Sequence, residues 1–214
     1  MKIYISVDME GISGICRSDQ VMRDSSAYSE GRRYLCADVN AAIDGAIEGG
    51  ATEIVVCDAH GGGFNFVMDE MDRRPQRYET TMPGGVRMPS LDESFDGVIL
   101  VGYHAMAGTQ GAFLDHTMSS ASVYNYYING VRSGEIGLEA AYAGHYGVPI
   151  IMASGDAAAC AEAERVVPGL QTAVVKHALG RNSASCLPPE VARQRIREAA
   201  GHAVQRCRQI APQR

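Results

Sequence analysis

Three stretches of the chain share one pattern: apolar and β-branched residues run together, then stop at polar groups and glycine. Ile3-Tyr4-Ile5-Ser6-Val7 ends in Asp8-Met9-Glu10-Gly11. Glu53-Ile54-Val55-Val56-Cys57 ends in Asp58-Ala59-His60-Gly61, and Val98-Ile99-Leu100-Val101 ends in Gly102-Tyr103-His104. Near-continuous apolar runs of this length predict strands covered on both faces, as in parallel sheets. Val148 to Ser154 and Leu170 to Lys176 read as a fourth and a fifth strand.

Helical spacing appears between them. Tyr28 to Glu48 puts Leu35, Val39, Ala42, Ile43, Ala46 and Ile47 on one face, and Gly49-Gly50 supplies the stop. Strand, helix, strand in this order predicts a βαβ crossover. Ser133 is expected to cap a helix from about Gly134 to Tyr146. Asp156 to Val166 reads as another helix. Pro188 to Gln209 reads as an amphipathic one, with Val191, Ile196, Ala199, Ala200, Ala203 and Val204 inward and its arginines solvated. Gly11 to Ala27 and Ala105 to Ser120 read as loops, Phe64 to Glu93 as irregular with at most a short element, and Asn129-Gly130 as a hairpin turn. The expected class is α/β: a mostly parallel sheet flanked by helices, with its site at the carboxyl ends of the strands.

That edge is where open α/β sheets bind ligands, so Asp8, Glu10, His60 and His104 are expected to converge there. Residues two apart on an extended chain point the same way, so Asp8 and Glu10 can share a site while Met9 turns away. Two adjacent carboxylates repel unless a proton or a cation sits between them, and a divalent metal is the simplest cation to propose. Gly11 lets the backbone turn sharply or come close to a ligand. Gly61-Gly62-Gly63 lacks the Lys-Ser/Thr of a P-loop, so it reads as room for backbone to crowd a metal or substrate. Glu135, in the first turn of its helix, is accounted for by the helix dipole alone.

Composition narrows the classes. With 214 residues the chain can bury one good core. A net charge of -6 and no basic run argue against a nucleic-acid partner. No segment is long and apolar enough to cross a membrane, and Met1-Lys2-Ile3-Tyr4 enters a strand without a signal-peptide layout. A cytoplasmic location is the expectation. The six cysteines are scattered without a C-x-x-C pair and read as free thiols, Cys57 packed within its strand.

Read together, the motifs resemble a known family. Ser6-Val7-Asp8-Met9-Glu10-Gly11-Ile12-Ser13-Gly14, Asp58-Ala59-His60, Gly102-Tyr103-His104, His116-Thr117-Met118, and Tyr127-Ile128-Asn129 with Gly134-Glu135-Ile136-Gly137-Leu138 resemble the zinc-dependent D-aminopeptidases of the bacterial dipeptide-transport type. The resemblance runs in order from residue 1 to about 190. It implies an α/β domain with two zinc ions, Asp8 bridging them and Glu10, His60, His104 and Glu135 completing the ligands. It also implies His116 as the catalytic histidine, a short peptide as substrate, and assembly into a ring-like homo-oligomer. His145, His177 and His202 match no functional position. The family's further strand-rich segment has no counterpart before the chain stops at Ala211-Pro212-Gln213-Arg214.

The implied activity is removal of an N-terminal (D-)residue through a metal-bound hydroxide. Two metals sharing a water can draw its pKa from ~15.7 towards ~7, and His116 can carry the proton to the leaving amine. Phosphoesterases use similar two-metal sites, but they often hold phosphate with Arg or Lys, and none lies in these motifs. A metal-binding relative without catalysis is the remaining alternative. Preference for D- over L-residues is carried by the resemblance alone.

Overall fold

In the computed structural model of the chain, which describes residues 1–213, the three apolar runs are neighbouring strands. The elements in chain order are β1 (Lys2–Val7), α1 (Tyr28–Glu48), β2 (Glu53–Asp58), β3 (Arg77–Glu79), β4 (Gly97–Tyr103), β5 (Tyr127–Ile128) and β6 (Val131–Arg132). They continue with α2 (Glu135–His145), β7 (Ile150–Asp156), α3 (Ala157–Val166), β8 (Gln171–Gly180), β9 (Ser183–Cys186) and α4 (Pro189–Arg206). Short 3-10 turns cover Ser18–Val21, Met68–Glu70, Pro83–Gly85 and Cys207–Gln209.

Seven strands form one sheet in the order β3-β2-β1-β4-β7-β8-β9. Every pairing is parallel except β8 with β9. From β1 the chain moves outward to β2 and β3, then returns to place β4 on the other side of β1. The order reverses there, which makes the β1/β4 boundary the switch point of the sheet. Val7 stands opposite Asp58 on one side and Val101 on the other, so β1, β2 and β4 end nearly level. β4 and β7 are buried along their whole length, and β1 and β2 from their second residue on. This is the two-sided burial that continuous apolar runs require.

Helices α1 and α4 pack on each other and on the sheet, and α2 and α3 form a second such pair. Leu35, Val39, Ala42, Ile43 and Ala46 form the buried face of α1, with Ile47 half-buried at its edge. The α1–α4 seam is unusually close. A Cβ on Gly45 would stand 2.0 Å from the Arg197 carbonyl oxygen, and one on Gly49 would stand 2.6 Å from that of Gly201.

Several boundaries differ from the reading of the sequence. β8 runs on to Gly180 and folds back as β9, because backbone pairing continues where His177, Leu179 and Gly180 are exposed and no unbroken apolar run marks the strand. Gly134, not Ser133, is the N-cap of α2; the Ser133 hydroxyl donates to the Val131 carbonyl instead. Val191 is 44% exposed, so the inward face of α4 begins at Ala192. β7 starts two residues later than expected and ends at Asp156, whose carboxylate then caps α3 by accepting from the Ala159 amide. The hairpin β5–β6 turns at Asn129-Gly130, both with positive φ, as a two-residue loop of this type demands. No helix among the described residues is long and apolar enough to cross a membrane.

Candidate metal centre

The level strand ends bring distant residues together. Asp8 and Glu10 follow β1, His60 follows β2, His104 follows β4, and Glu135 is the first residue of α2. His116 comes from the loop between β4 and β5. Asp8, Glu10, His60, His116 and Glu135 line a cavity of about 350 Å³, whose wall also includes Gly61, Gly62, Met82, Arg87 and Met118. His104 lies beneath it, 1% exposed and stacked on His116 with ring centroids 3.9 Å apart. Gly11 makes its close approach to protein rather than to a ligand: a Cβ there would stand 2.0 Å from the Tyr103 carbonyl oxygen. His145, His177 and His202 are exposed and lie outside the cavity.

The three imidazoles are built alike. Each turns one ring nitrogen to a backbone carbonyl: His60 Nε2 to Val21 (3.2 Å), His104 Nδ1 to Ala105 (3.0 Å) and His116 Nδ1 to Leu114 (2.8 Å). A carbonyl only accepts, so those nitrogens donate, and in a neutral ring the other nitrogen carries a lone pair. That second nitrogen faces carboxylates every time. His60 Nδ1 is 3.1 Å from both Asp8 Oδ1 and Glu10 Oε2. His104 Nε2 is 3.4 Å from Asp8 Oδ2 and 3.2 Å from Glu135 Oε1, and it is buried without a hydrogen-bond partner. His116 Nε2 stands farther back, 3.7 Å from Glu135 Oε1 and 3.9 Å from Glu10 Oε1.

Lone pairs facing carboxylates require positive charge between them. Without a metal the only source is protons. Burial opposes the imidazolium of His60, yet Glu10 and Asp8 hold its pKa well above the ordinary value. Burial likewise opposes His104, but Glu135, Asp8 and Glu10 raise it to about 10. In return, and against the desolvation of their charged forms, the histidines hold Glu10 well below the usual carboxylate range and also lower Glu135. A divalent cation supplies the same balance with the rings neutral.

The donor set fits such an ion. Two groups of donors, Asp8-Glu10-His104 and His104-His116-Glu135, each place their ligand atoms within 4.8 Å of one another. Imidazole and carboxylate without thiolate suit zinc, with manganese and cobalt as substitutes. The carbonyls behind the rings fix tautomer and orientation, as the outer partners of metal-binding histidines do.

Buried ionic groups set the loops that carry these donors. The fully buried Lys176 ammonium donates to the carbonyls of Glu10 (2.6 Å), Ile12 (2.8 Å) and Ile15 (2.7 Å), pinning the turn after β1. Desolvation lowers its pKa to about 8. Asp38 of α1 accepts from the Ser13 amide and hydroxyl in the same turn. Asp58 accepts from the Asn65 amide and side chain, while Asn65 also donates to the His60 carbonyl. Glu162 accepts from the Met106 amide just beyond His104.

Sequence reasoning missed these supports, and it missed Arg87. This arginine reaches the cavity wall from the segment read as irregular and pairs with Glu139 of α2. The one available signal was the spacing of Glu135 and Glu139, which stacks two carboxylates on one helix face.

Similarity to known proteins extends over the whole chain. The whole chain, residues 1–214, matches the family described as D-aminopeptidase. It is 35% identical over 212 residues to the D-aminopeptidase of Bacillus subtilis (strain 168), an alignment covering 99% of this chain and 77% of the relative. Its fold is similar to that of the zinc-dependent D-aminopeptidase DppA from Bacillus subtilis, a self-compartmentalizing protease. That match has a TM-score of 0.94 at 34% identity and covers 99% of this chain and 77% of the other.

Proposed function

The chain belongs to the D-aminopeptidase family and is a peptidase, and on that premise we propose that it releases N-terminal D-residues from short peptides in a zinc-dependent reaction. The observation that carries the zinc dependence is the common build of His60 and His104, each anchored on a carbonyl with its other nitrogen within 3.4 Å of two carboxylates. Two zinc ions per chain are proposed, with Asp8 between them and Glu10, His60, His104 and Glu135 completing the ligands. Asp8 suits the bridging place because its two oxygens face different histidines, Oδ1 towards His60 and Oδ2 towards His104. Zinc held there supplies Lewis acidity, acidifying a water and polarising the scissile carbonyl.

The chain's own groups do the rest. His116 stands farthest from the carboxylates and lines the cavity, so its Nε2 is free to take a proton from the attacking water and pass it to the leaving amine. Its Nδ1 hydrogen bond to Leu114 keeps Nε2 pointed at the cavity throughout. Gly61 and Gly62 leave their side of the cavity open, since nothing lies within 4 Å of where their side chains would begin. Arg87 gives little support to a phosphoesterase, because Nε and Nη2 are both bonded to Glu139.

Assembly into a homo-oligomer is part of the proposal. It is supported by the self-compartmentalizing relative and by the exposed Tyr124, Tyr127 and Val131 around the hairpin. The deciding experiment compares wild type with His116→Ala on matched D-Ala and L-Ala dipeptides, with zinc content measured on both. D-selective hydrolysis by wild type, and loss of turnover at unchanged zinc in the variant, is the expected result. Loss of zinc from the variant would make His116 a ligand instead, and hydrolysis of the L-dipeptide alone would refute the stereochemical part.

A further inference from the structure

Arg87 is the only lysine or arginine among the described residues lining the cavity, and half of its guanidinium has no ionic partner. Nε donates to Glu139 Oε1 at 2.6 Å, and Nη2 bonds the same oxygen. Nη2 also stands 3.7 Å from Oε2 of Glu135. Glu139 is itself fixed from behind, because the Tyr103 hydroxyl reaches its Oε1 at 2.9 Å and meets Ser6 Oγ at 2.8 Å. The guanidinium is therefore held rigidly. Nη1, on its other edge, meets only the thioether of Met118 at 3.7 Å, and Met118 is itself part of the cavity wall.

A salt bridge kept for stability alone has no need of that arrangement, since buried ion pairs contribute little net stability. A donor edge left on a thioether beside a substrate cavity suits a planar oxyanion instead. With one edge neutralised by Glu139, and with Asp8, Glu10 and Glu135 nearby, the local balance favours a monoanion over a phosphate dianion. Distance limits the choice further. Arg87 Nη2 stands beside Glu135, one of the proposed zinc ligands, so an anion on the neighbouring Nη1 would lie near a carbonyl polarised at that centre. In a dipeptide only the amide nitrogen and one α-carbon separate that carbonyl from the terminal carboxylate.

We propose that Arg87 receives the C-terminal carboxylate of the substrate through Nη1 and so makes the site selective for dipeptides with a free C-terminus. This rests on the peptidase reading above and gives it a substrate class. Arg87 is a specificity residue here, with no part in proton transfer.

The test uses the zinc-loaded full chain and two compounds, D-alanyl-D-alanine and its C-terminal amide. Wild type should favour the acid by about 10- to 100-fold in kcat/KM, the size of one charged hydrogen bond, expressed mainly in KM. In Arg87→Met the acid should fall to the level of the amide. Arg87→Met combined with Glu139→Gln removes the buried charge left behind and should behave the same way if the single variant folds poorly. Binding is measured alongside with a reduced-amide isostere of the dipeptide, as acid and as carboxamide. The acid form should bind more tightly to wild type only. Equal use of acid and amide by wild type would overturn the proposal, as would equal loss of both in the variants. If wild type hydrolyses neither compound, the peptidase reading fails, and isostere binding alone decides the role of Arg87.

Discussion

The α1–α4 seam and the carboxyl edge of the sheet are both tightly packed, for opposite reasons. At the seam the close contact is backbone to backbone: Gly45 and Gly49 bring α1 against α4 at Arg197 and Gly201, and the ion pairs Glu48–Arg197 and Asp38–Arg193 lie beside that contact. At the edge Asp8, Glu10 and Glu135 are crowded with three histidines, all but buried. The seam is stabilised by contact. The edge, taken without a metal ion, keeps its three carboxylates together only by holding protons on His60 and His104, a buried cluster of charge that costs desolvation on both sides. Residues that cost stability where they stand are candidates for function, and this contrast makes the two regions respond differently to the same kind of change.

The largest separation should come from Asp8→Ala and Gly45→Ala. Asp8→Ala removes the donor shared by His60 and His104, so hydrolysis and zinc retention should both vanish. The melting temperature of the chelated protein should fall less than that of Gly45→Ala, because His60 and His104 keep Glu10 and Glu135 as partners. Gly45→Ala should do the reverse. Its Cβ meets a carbonyl oxygen that cannot move alone, at a cost of about 1–3 kcal/mol or more, while the protein that stays folded keeps its zinc. Thermal melts with and without chelator, beside zinc analysis, check both. An Asp8→Ala protein that melts far lower without metal would erase the distinction between the regions.

Zinc itself should sharpen the contrast. An ion that binds only the folded chain adds about 2.7 kcal/mol at a hundred times its Kd. Wild type and Gly45→Ala should both gain stability on zinc addition, and Asp8→Ala should gain none.

Lys176→Met should fall between the two classes. It leaves the carbonyls of Glu10, Ile12 and Ile15 without their donor, at about 1–3 kcal/mol for each that water cannot reach. Because Glu10 shifts with that turn, zinc affinity should also drop, on the order of 10–100-fold. A loss of stability with unchanged affinity would make Lys176 a support of the fold alone. Val191→Ala, on the exposed side of α4, should stay within about 0.5 kcal/mol in a denaturant melt.

The same contrast explains what could be read from the sequence. The β1, β2 and β4 runs are legible because two-sided burial writes itself as unbroken apolar sequence, and their ends then place Asp8, Glu10, His60 and His104 on one edge. Motif resemblance brought in Glu135 and His116, which the helix dipole or an ordinary loop would have explained equally well. The supports were not legible. Lys176 looks like the polar end of a strand, and Arg87 like a loop arginine, until the fold shows which carbonyls and which carboxylate they meet. β9 escaped for a related reason: a strand on an exposed sheet edge leaves no apolar pattern. Gly45 and Gly49 read only as residues within or just after a helix, since close helix contact is a property of the partner as much as of the chain.

The most direct test of the account is elemental analysis of purified wild type and Asp8→Ala after dialysis against dilute zinc. About two zinc ions per wild-type chain and none retained by the variant are expected. Equal zinc in both proteins, or none in wild type, would contradict the assignment of the carboxyl edge as the metal centre.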